Sequence, residues 1–250
     1  NKGGVKLSSY IIEGGKKLEG EVDVSGSKNA ALPIIAACIL NGTTTTLYNV
    51  PDIQDIKITL QIIQLLGGKV IRKKGKMIID SQNIKSKEIP DELMRKMRSS
   101  VILAGAILGR FKEAVFSYPG GCDIGRRPID LHLKGFEMLG TKINKEGGYI
   151  RCSCDRLIGN DIHLDFPSVG ATENIILASV LAEGETTITN AAMEPEIVDL
   201  QELLNRMGAK VRGAGTNIIK VTGVKNLKSA SYNIMPDRIE AGTLLCMGAI

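Results

Sequence analysis

The sequence of 250 residues predicts an α/β protein in which one unit is repeated three times. The first observation is a glycine that ends a helix-type run and is followed two residues later by lysine, at Gly67, Gly140 and Gly208. These copies recur about every 70 residues, which is the mark of a repeat architecture. The second observation is the alternation of helix-type and strand-type runs, which favours some parallel strand pairing.

Each unit is predicted to hold six elements in the order strand, helix, strand, helix, strand, strand. Helix-type runs have apolar residues three or four positions apart, strand-type runs alternate, and glycine separates them. The first unit comprises residues 20–24, 30–40, 43–48, a helix that ends before Gly67, and a hairpin of 69–72 and 77–80. The basic run 72–76 falls on the turn of that hairpin, where it would be solvated.

The second and third units follow the same order. The second comprises residues 98–108, 113–117, a helix that ends before Gly140, and a hairpin of 142–144 and 149–153. The third comprises residues 161–164, 171–181, 186–189 and a helix that ends before Gly208. A fourth unit opens at residues 237–243 and stops, so we expect the chain to be a truncated or incomplete form of a longer protein.

Composition favours a globular protein that binds small anionic ligands. Hydrophobic residues make up 43% and charged residues 24%, and no apolar run approaches the roughly 20 residues that span a bilayer. The first residues lack the apolar core of a signal peptide, so we expect a cytoplasmic protein without membrane partners. A net charge of +5 with 4% aromatic residues and no Trp gives no stacking platform for nucleic acid.

The loop of residues 118–128 is the strongest candidate for chemistry. Cys122 lies among glycines and before Arg126 and Arg127, in a stretch without helical or strand periodicity. Nearby guanidinium groups favour a reactive thiolate, whereas Asp123 opposes it. We interpret Cys122 as a catalytic residue; the alternative is a tight, positively charged turn that happens to carry a thiol.

The other four cysteines are predicted to pack in a reducing compartment. Cys38 and Cys246 lie in apolar runs, and Cys152 and Cys154 alternate on one face of a strand. Two residues of spacing with no nearby histidine is a poor zinc signature, and an odd cysteine count argues against a disulfide scaffold. The prediction is therefore a protein with no metal and no cofactor.

Two positions near helix starts could bind a phosphate group. Residues 25–29 precede a helix, and free backbone N–H groups beside Lys28 would form an anion site. The alternative is an ordinary Ser or Asn cap with a surface lysine. Arg98 also lies near a helix, where by itself it would be a solvated charge.

The segment after the cysteine loop offers a third position. Arg127 precedes Pro128, which suits the first turn of a helix, and a guanidinium there can hold a phosphate with two hydrogen bonds. His132 in that helix is a candidate proton carrier. His163 alternates within a strand and is predicted to be structural.

Taken together, these residues resemble the enolpyruvyl transferase family from about residue 11 to residue 250. The resemblance rests on five motifs in order, at residues 25–29, 119–132, 168–172, 194–199 and 236–243. It implies that the chain is the N-terminal part of an enzyme that moves the enolpyruvyl group of phosphoenolpyruvate to the 3′-hydroxyl of UDP-N-acetylglucosamine. Phosphate is released, no metal is required, and the reaction is the first committed step of peptidoglycan synthesis.

The resemblance also implies roles for residues at the matching positions. Cys122 would protonate C3 of the enolpyruvyl group, form a covalent phospholactoyl adduct and be the target of fosfomycin. Lys28 and Asn29 would bind phosphoenolpyruvate with help from Arg127. The residues implied to contact UDP-N-acetylglucosamine are Arg98, Arg127, Pro128, Ile129, Asp130, Leu131, Ser168, Val169 and Gly170.

Members of the family have two lobes with substrates in the cleft between them. Each lobe is an inside-out α/β barrel of three units, with helices inside and sheets outside. The resemblance assigns residues 25–235 to the first lobe, and residues 1–24 and 236–250 to a second lobe that is mostly missing. We therefore expect this chain to be inactive or nearly so alone. Some members carry lysine two residues before Ser168, where this chain has Phe166, so a diphosphate contact would be lost or supplied elsewhere.

Three other functions are compatible with parts of the sequence. Shikimate 3-phosphate could be the acceptor instead, but the motif at residues 119–132 favours the nucleotide sugar, and such pocket contacts set acceptor choice. A non-catalytic lobe that binds nucleotide sugar is disfavoured by the presence of Cys122. RNA 3′-phosphate cyclases share the repeat architecture, but RNA binding would need a basic, aromatic face.

Overall fold

The structure, a computed structural model, describes residues 11–15, 17–119 and 129–249. Within these ranges helices and strands alternate, as the repeat predicts. The helices are α1 (Lys28–Ala37), α2 (Gln54–Leu65), α3 (Asp91–Lys96), α4 (Ile102–Phe111), α5 (Asp130–Met138), α6 (Val169–Ser179), α7 (Pro195–Arg206) and α8 (Arg238–Gly248). The strands are β1 (Thr44–Tyr48), β2 (Lys69–Lys73), β3 (Lys76–Asp80), β4 (Glu113–Ser117), β5 (Lys142–Glu146), β6 (Tyr149–Ser153), β7 (Asp161–His163), β8 (Glu185–Thr189), β9 (Lys210–Arg212), β10 (Ile218–Thr222) and β11 (Ser231–Asn233).

Three apolar helices occupy the centre of the fold. Nearly every residue of α1, α4 and α6 is buried, which leaves these helices no solvent-facing stripe. A helix that is apolar on all sides is stable only when other elements surround it. The central position of these helices therefore follows directly from their composition.

The central helices run parallel, so their N-termini lie at one end of the molecule. Asn174 of α6 accepts a hydrogen bond from the Gly105 backbone N–H and donates one to the Val101 carbonyl, at 2.8 and 2.9 Å. Arg110, near the end of α4, donates to the carbonyl of Ile39, just beyond the end of α1, at 2.9 Å. One turn further along α4, a Cβ added at Gly109 would lie 2.8 Å from the Leu177 carbonyl oxygen, which is about one turn further along α6, so α4 and α6 run in the same direction.

The sheets lie outside the helices, in three separate groups that do not join into a closed barrel among the described strands. Their strand orders are β11-β1-β3-β2, β4-β6-β5 and β7-β8-β10-β9. Each sheet contains one hairpin (β2–β3, β5–β6 or β9–β10) whose second strand also pairs with β1, β4 or β8 in antiparallel register. Helices inside and sheets outside confirm the predicted arrangement of three repeated units.

A parallel partner completes each group. Strand β7 pairs with β8, strand β11 pairs with β1, and a single bridge joins Glu88 to Val115 in the middle sheet. The partner of β1 corrects a prediction, because residues 20–24 form no strand in the structure. Their side chains are mostly exposed, whereas Tyr232 in β11 and Ile234 after it are buried in the core. The end of the third unit therefore closes the sheet of the first.

The predicted helix ends are confirmed at all three repeat glycines. Gly67, Gly140 and Gly208 follow α2, α5 and α7 with positive φ angles of 107°, 91° and 98°. Glycine adopts this left-handed conformation without steric cost, which lets the next backbone N–H bond back to the last helical turn. None of the described helices is long and apolar enough to cross a membrane.

Candidate substrate-binding site

Part of the predicted site lies outside the described residues. Cys122, Arg127 and Pro128 belong to the stretch 120–128, which the structure does not describe. The backbone of Arg98 begins a short 3-10 helix, residues 98–101, that leads into α4, and its side chain is likewise outside the description. The predicted residues that are described lie at the starts of α1, α5 and α6.

The start of α1 is held tightly by segments that are distant in sequence. Ser27 caps the helix, because its hydroxyl oxygen accepts the Ala30 backbone N–H at 3.3 Å. The Ser27 backbone N–H donates to the Met235 carbonyl at 2.8 Å. A Cβ added to Gly26 would lie 1.7 Å from the Asn49 carbonyl oxygen, so only glycine fits between the two backbones.

Two carboxylates flank Lys28 at this helix start. Lys28 Nζ lies 3.3 Å from Asp55 Oδ2, and the Lys28 backbone N–H donates to Asp237 Oδ2 at 3.2 Å. Asp55 lies in the first turn of α2, a favoured place for an acid, and sequence reasoning did not include it in the site. Asn29 is exposed beside them. Lys28 therefore has one carboxylate at its ammonium group and another at its backbone N–H.

Asp237 acts as the N-cap of α8 and stays readily ionised. Partial burial acts to raise its pKa, but the backbone N–H groups of Glu240, Ile239 and Lys28 outweigh burial and lower the pKa below its usual value. The Asp237 carboxylate thus accepts a hydrogen bond from one of the backbone N–H groups at the start of α1. The expectation of free backbone donors there is wrong for Lys28 and Ala30, so an anion would meet mainly the Lys28 side chain.

The start of α6 is also capped by a serine but has different surroundings. The Ser168 hydroxyl oxygen accepts the Ala171 backbone N–H at 3.3 Å, and Val169 and Gly170 form the half-buried first turn. A Cβ at Gly170 would lie 3.1 Å from Cε1 of His132. The first turn of α6 therefore packs directly on the first turn of α5.

The first turn of α5 contributes the other predicted nucleotide-sugar residues. Ile129 is buried just before the helix, Leu131 is half-buried, and Asp130 is exposed at the first helical position. The contact between His132 and Gly170 brings this turn against Ser168, Val169 and Gly170. Two predicted groups that are about 40 residues apart in sequence therefore form one surface.

His132 joins three helices. The Asn174 side-chain N–H donates to His132 Nδ1 at 2.7 Å, and the orientation of that amide follows from its oxygen accepting the Gly105 N–H. Since an amide nitrogen has no lone pair to offer, His132 Nδ1 is the acceptor, and a neutral ring carries its proton on Nε2. The arrangement gives His132 a structural part in joining α5, α6 and α4.

A buried acid that sequence reasoning missed lies one turn into α6. Burial, followed by the nearby charges of Glu196 and Glu194, raises the pKa of Glu173 well above its usual range. Its Oε1 atom has no hydrogen-bond partner among the described residues. The sequence contains one signal of this acid, a glutamate inside the apolar run 171–181. Glutamate is rarely buried, so its presence in a run that is otherwise core-like is unusual.

Glu196 belongs to the same region. It lies in the first turn of α7, is almost fully buried, and pairs with Arg238 of α8 at 2.9 Å. The pair holds α7 against the start of α8. The contacts of Glu196 are thus those of a scaffold residue.

Burial favours the protonated thiol in three of the described cysteines. Burial raises the pKa of Cys38 to about 12 and that of Cys152 to about 12, and it also raises the pKa of Cys154. Thiolates, not thiols, bind metals. Within the described ranges, no group of three or more His, Cys, Asp or Glu residues could hold a metal ion. Cys246 is exposed on α8, so the packing expected for it is not seen.

Comparison with known proteins adds family relationships to this geometry. The profile of the EPSP synthase (3-phosphoshikimate 1-carboxyvinyltransferase) family matches residues 12–250. UDP-N-acetylglucosamine 1-carboxyvinyltransferase 2 of Caldanaerobacter subterraneus subsp. tengcongensis is 54% identical over 244 residues, which cover 98% of this chain and 58% of that protein. The Bacillus subtilis protein of the same name is 49% identical over 243 residues, with 97% of this chain and 57% of that protein covered.

Solved structures show the same fold at lower identity. The enolpyruvyl transferase NikO from Streptomyces tendae superimposes with a TM-score of 0.83 at 23% identity and covers 95% of this chain and 56% of its own. EPSP synthase from Acinetobacter baumannii gives a TM-score of 0.68 at 22% identity, with coverages of 90% and 52%. The chain thus spans between half and three fifths of the length of the proteins it matches.

Proposed function

The chain belongs to the EPSP synthase (3-phosphoshikimate 1-carboxyvinyltransferase) family of enolpyruvyl transferases, and on that premise we propose that it is the acceptor-binding lobe of a UDP-N-acetylglucosamine 1-carboxyvinyltransferase. Residues 25–235 would form this lobe, and residues 1–24 and 236–250 would belong to a second one. The complete protein would add the 3′-hydroxyl of the sugar nucleotide to C2 of phosphoenolpyruvate, protonate C3, and then eliminate phosphate.

One structural observation carries the acceptor assignment. The contact between Gly170 and His132 joins residues 168–170 at the start of α6 to residues 129–131 at the start of α5. Backbone N–H groups at a helix start favour a phosphate group, and the neighbouring half-buried Leu131 and Val169 offer apolar surface. A nucleotide diphosphate sugar has both kinds of group.

The enolpyruvyl donor would bind at the start of α1. Lys28 lies at the same end of the central helices as the α6 start, and its ammonium group would neutralise the phosphate of phosphoenolpyruvate. Asn29 and Arg127 are the other proposed contacts of the donor. Asp55 holds Lys28 in place at 3.3 Å before the donor binds. Arg98 and Pro128 would complete the nucleotide-sugar contacts.

Cys122 would supply the proton to C3 of the enolpyruvyl group. Addition makes C2 tetrahedral, with bonds to the sugar oxygen and the phosphate oxygen; loss of the phosphate and of a C3 proton then restores the double bond. A thiol on a glycine-flanked loop suits a group that must approach substrate and withdraw. Fosfomycin should alkylate this thiol in the complete enzyme.

A calorimetric titration of the chain with UDP-N-acetylglucosamine tests the acceptor assignment. We expect saturable heat with the nucleotide sugar and none with shikimate 3-phosphate, the acceptor of the other branch of the family. Heat with shikimate 3-phosphate alone would overturn the assignment. No heat with either ligand, from a sample whose folding is shown by circular dichroism, would contradict acceptor binding by this lobe. The Bacillus subtilis relative serves as the positive control.

A further inference from the structure

We propose that the phenyl ring of Phe166 is the platform on which the nucleobase of the sugar nucleotide stacks, which makes Phe166 a binding residue for the base. This inference rests on the proposed function and assigns a site for one part of its substrate. Phe166 precedes the α6 cap by two residues and corresponds to no residue in the predicted set.

The ring is unusually exposed for a phenylalanine of this chain. Phe166 is 66% exposed, whereas Phe116 and Phe136 are fully buried and Phe111 packs against the core. An exposed aromatic ring presents a flat apolar face of the kind that bases stack on. The contrast with the three other phenylalanines singles out this ring as one that contributes little to the core.

The backbone on both sides of Phe166 is fixed. The Leu164 carbonyl accepts the Asn190 side-chain N–H at 2.7 Å, and Asp165 pairs with Lys134 of α5 at 2.7 Å. After the ring, the Ser168 backbone N–H donates to the Phe166 carbonyl at 2.7 Å, and the intervening Pro167 has a restricted φ angle. The backbone of so constrained a segment loses little entropy when a ligand binds.

The position of the segment points to the base rather than to the diphosphate. The Asp165–Lys134 pair places the segment beside α5, and Ser168 places it at the first turn of α6. Phe166 therefore borders the surface formed by residues 129–131 and 168–170. A phenyl ring offers no hydrogen bond to a phosphate but presents a flat apolar face to a base, so stacking is the interaction that this ring supplies.

The test measures binding of two ligands to four proteins. The ligands are UDP-N-acetylglucosamine and its analogue with a 5,6-dihydrouracil base, which is not planar and stacks poorly. The proteins are wild type, Phe166→Ala, Phe166→Tyr and, as the control, Ile218→Ala, which truncates another exposed apolar side chain on β10. Circular dichroism confirms that each protein is folded.

We expect Phe166→Ala to weaken UDP-N-acetylglucosamine binding about tenfold to a hundredfold, because stacking on one base contributes about that much. Phe166→Tyr and Ile218→Ala should bind like wild type. Wild type should bind the dihydrouracil ligand more weakly than the natural ligand. Phe166→Ala should bind the two ligands with equal affinity.

Three outcomes would overturn the inference. Equal affinities of Phe166→Ala and wild type would show that the ring does not contact the ligand, and the proposed function would stand. Equal losses for both ligands in Phe166→Ala would show that the ring supports the site without touching the base. Failure of folded wild type to bind any uridine nucleotide would overturn the proposed function as well.

Discussion

The starts of α1 and α6 occupy equivalent places in two repeats but differ in charge and in what holds them. Both are capped by a serine whose hydroxyl accepts a backbone N–H at 3.3 Å. At α1, Lys28 lies between Asp55 and Asp237, and the segment is fixed by contacts to residues about 200 positions away. At α6, the first turn packs on His132 of the neighbouring helix and carries no charged side chain.

On the proposed function, this difference would give two copies of one repeated unit two different binding roles. The cap and the helix direction are set by the repeat and are kept in both places. The side chains at the first helical positions differ, because Lys28 is partly exposed and charged whereas Val169 packs against the core. A lysine suits the compact charge of phosphoenolpyruvate, and an uncharged turn beside apolar residues suits a larger nucleotide sugar.

The largest expected difference between the two starts is in their tolerance of a methyl group. Gly26→Ala should lower the free energy of unfolding by about 3 kcal/mol, because the new Cβ would lie 1.7 Å from a backbone oxygen of Asn49. Gly170→Ala should change it by less than about 1 kcal/mol, since a 3.1 Å contact with a His132 ring atom needs only a small shift. Urea denaturation measures both, and equal losses would contradict the comparison.

The second prediction concerns how the free energy of unfolding depends on pH through the buried acid Glu173 of α6. Burial raises the pKa of Glu173 in the folded state, so the folded protein holds this proton more tightly than the unfolded chain does. The resulting stabilisation is complete below the ordinary pKa of 4.5 and is lost as the pH rises above 4.5 towards the raised pKa. The loss is up to about 1.4 kcal/mol per pH unit until the raised pKa is reached. Glu173→Gln should therefore be more stable than wild type at pH 7, by a margin that vanishes near pH 4.

Urea unfolding at a series of pH values checks this prediction. Burial, partly offset by the Tyr232 hydroxyl, also raises the pKa of Asp199, so some pH dependence should persist in the variant. Identical pH profiles for wild type and Glu173→Gln would show that the acid is ionised in the folded protein. The α6 start would then have a negative charge close to a phosphate-binding turn.

The third prediction separates the ligands of the two helix starts. Lys28→Ala should weaken phosphoenolpyruvate binding about tenfold or more, because hydrogen bonds to charged groups contribute about 1.5–3 kcal/mol. Its affinity for UDP-N-acetylglucosamine should be unchanged. Lys57→Ala, which removes another partly exposed lysine that is paired with an aspartate, Asp52, is the matched control. A loss of nucleotide-sugar binding in Lys28→Ala would show that the two sites are not separate.

The smallest effects should come from the serine caps. Ser27→Ala and Ser168→Ala should each lower the free energy of unfolding by about 1 kcal/mol, because each removes one side-chain acceptor from a helix start. Thermal or urea unfolding can compare the two variants. A much larger loss in one of them would mean that its serine does more than cap the helix.

Local signals in the sequence predicted most of the fold. The glycines after α2, α5 and α7 ended their helices as expected, because a left-handed turn is a property of a few adjacent residues. The strand expected at residues 20–24 was wrong for the opposite reason. Its place beside β1 is taken by β11 from the far end of the third unit, and no local pattern shows which of two short strands will reach a sheet edge.

The site was predictable in residue type but not in its contacts. Lys28 and Ser168 could be placed at helix starts from the sequence, and the structure confirms those positions. Asp55 and Asp237 were not predicted as neighbours of Lys28, because the folded chain brings them together across long separations. The cysteine loop stays a prediction, since residues 120–128 lie outside the described part of the chain.

The bridge between Gly26 and Pro236 has a consequence for engineering. The two ends of the three-unit body are neighbours, with the Ser27 N–H only 2.8 Å from the Met235 carbonyl oxygen. A short linker could therefore join them, and the chain could be opened instead at the exposed hairpin turn around Gly75. Such a circular permutant of residues 27–235 would keep every sheet pairing, including that of β11 with β1, while the order of the repeats along the chain is rotated.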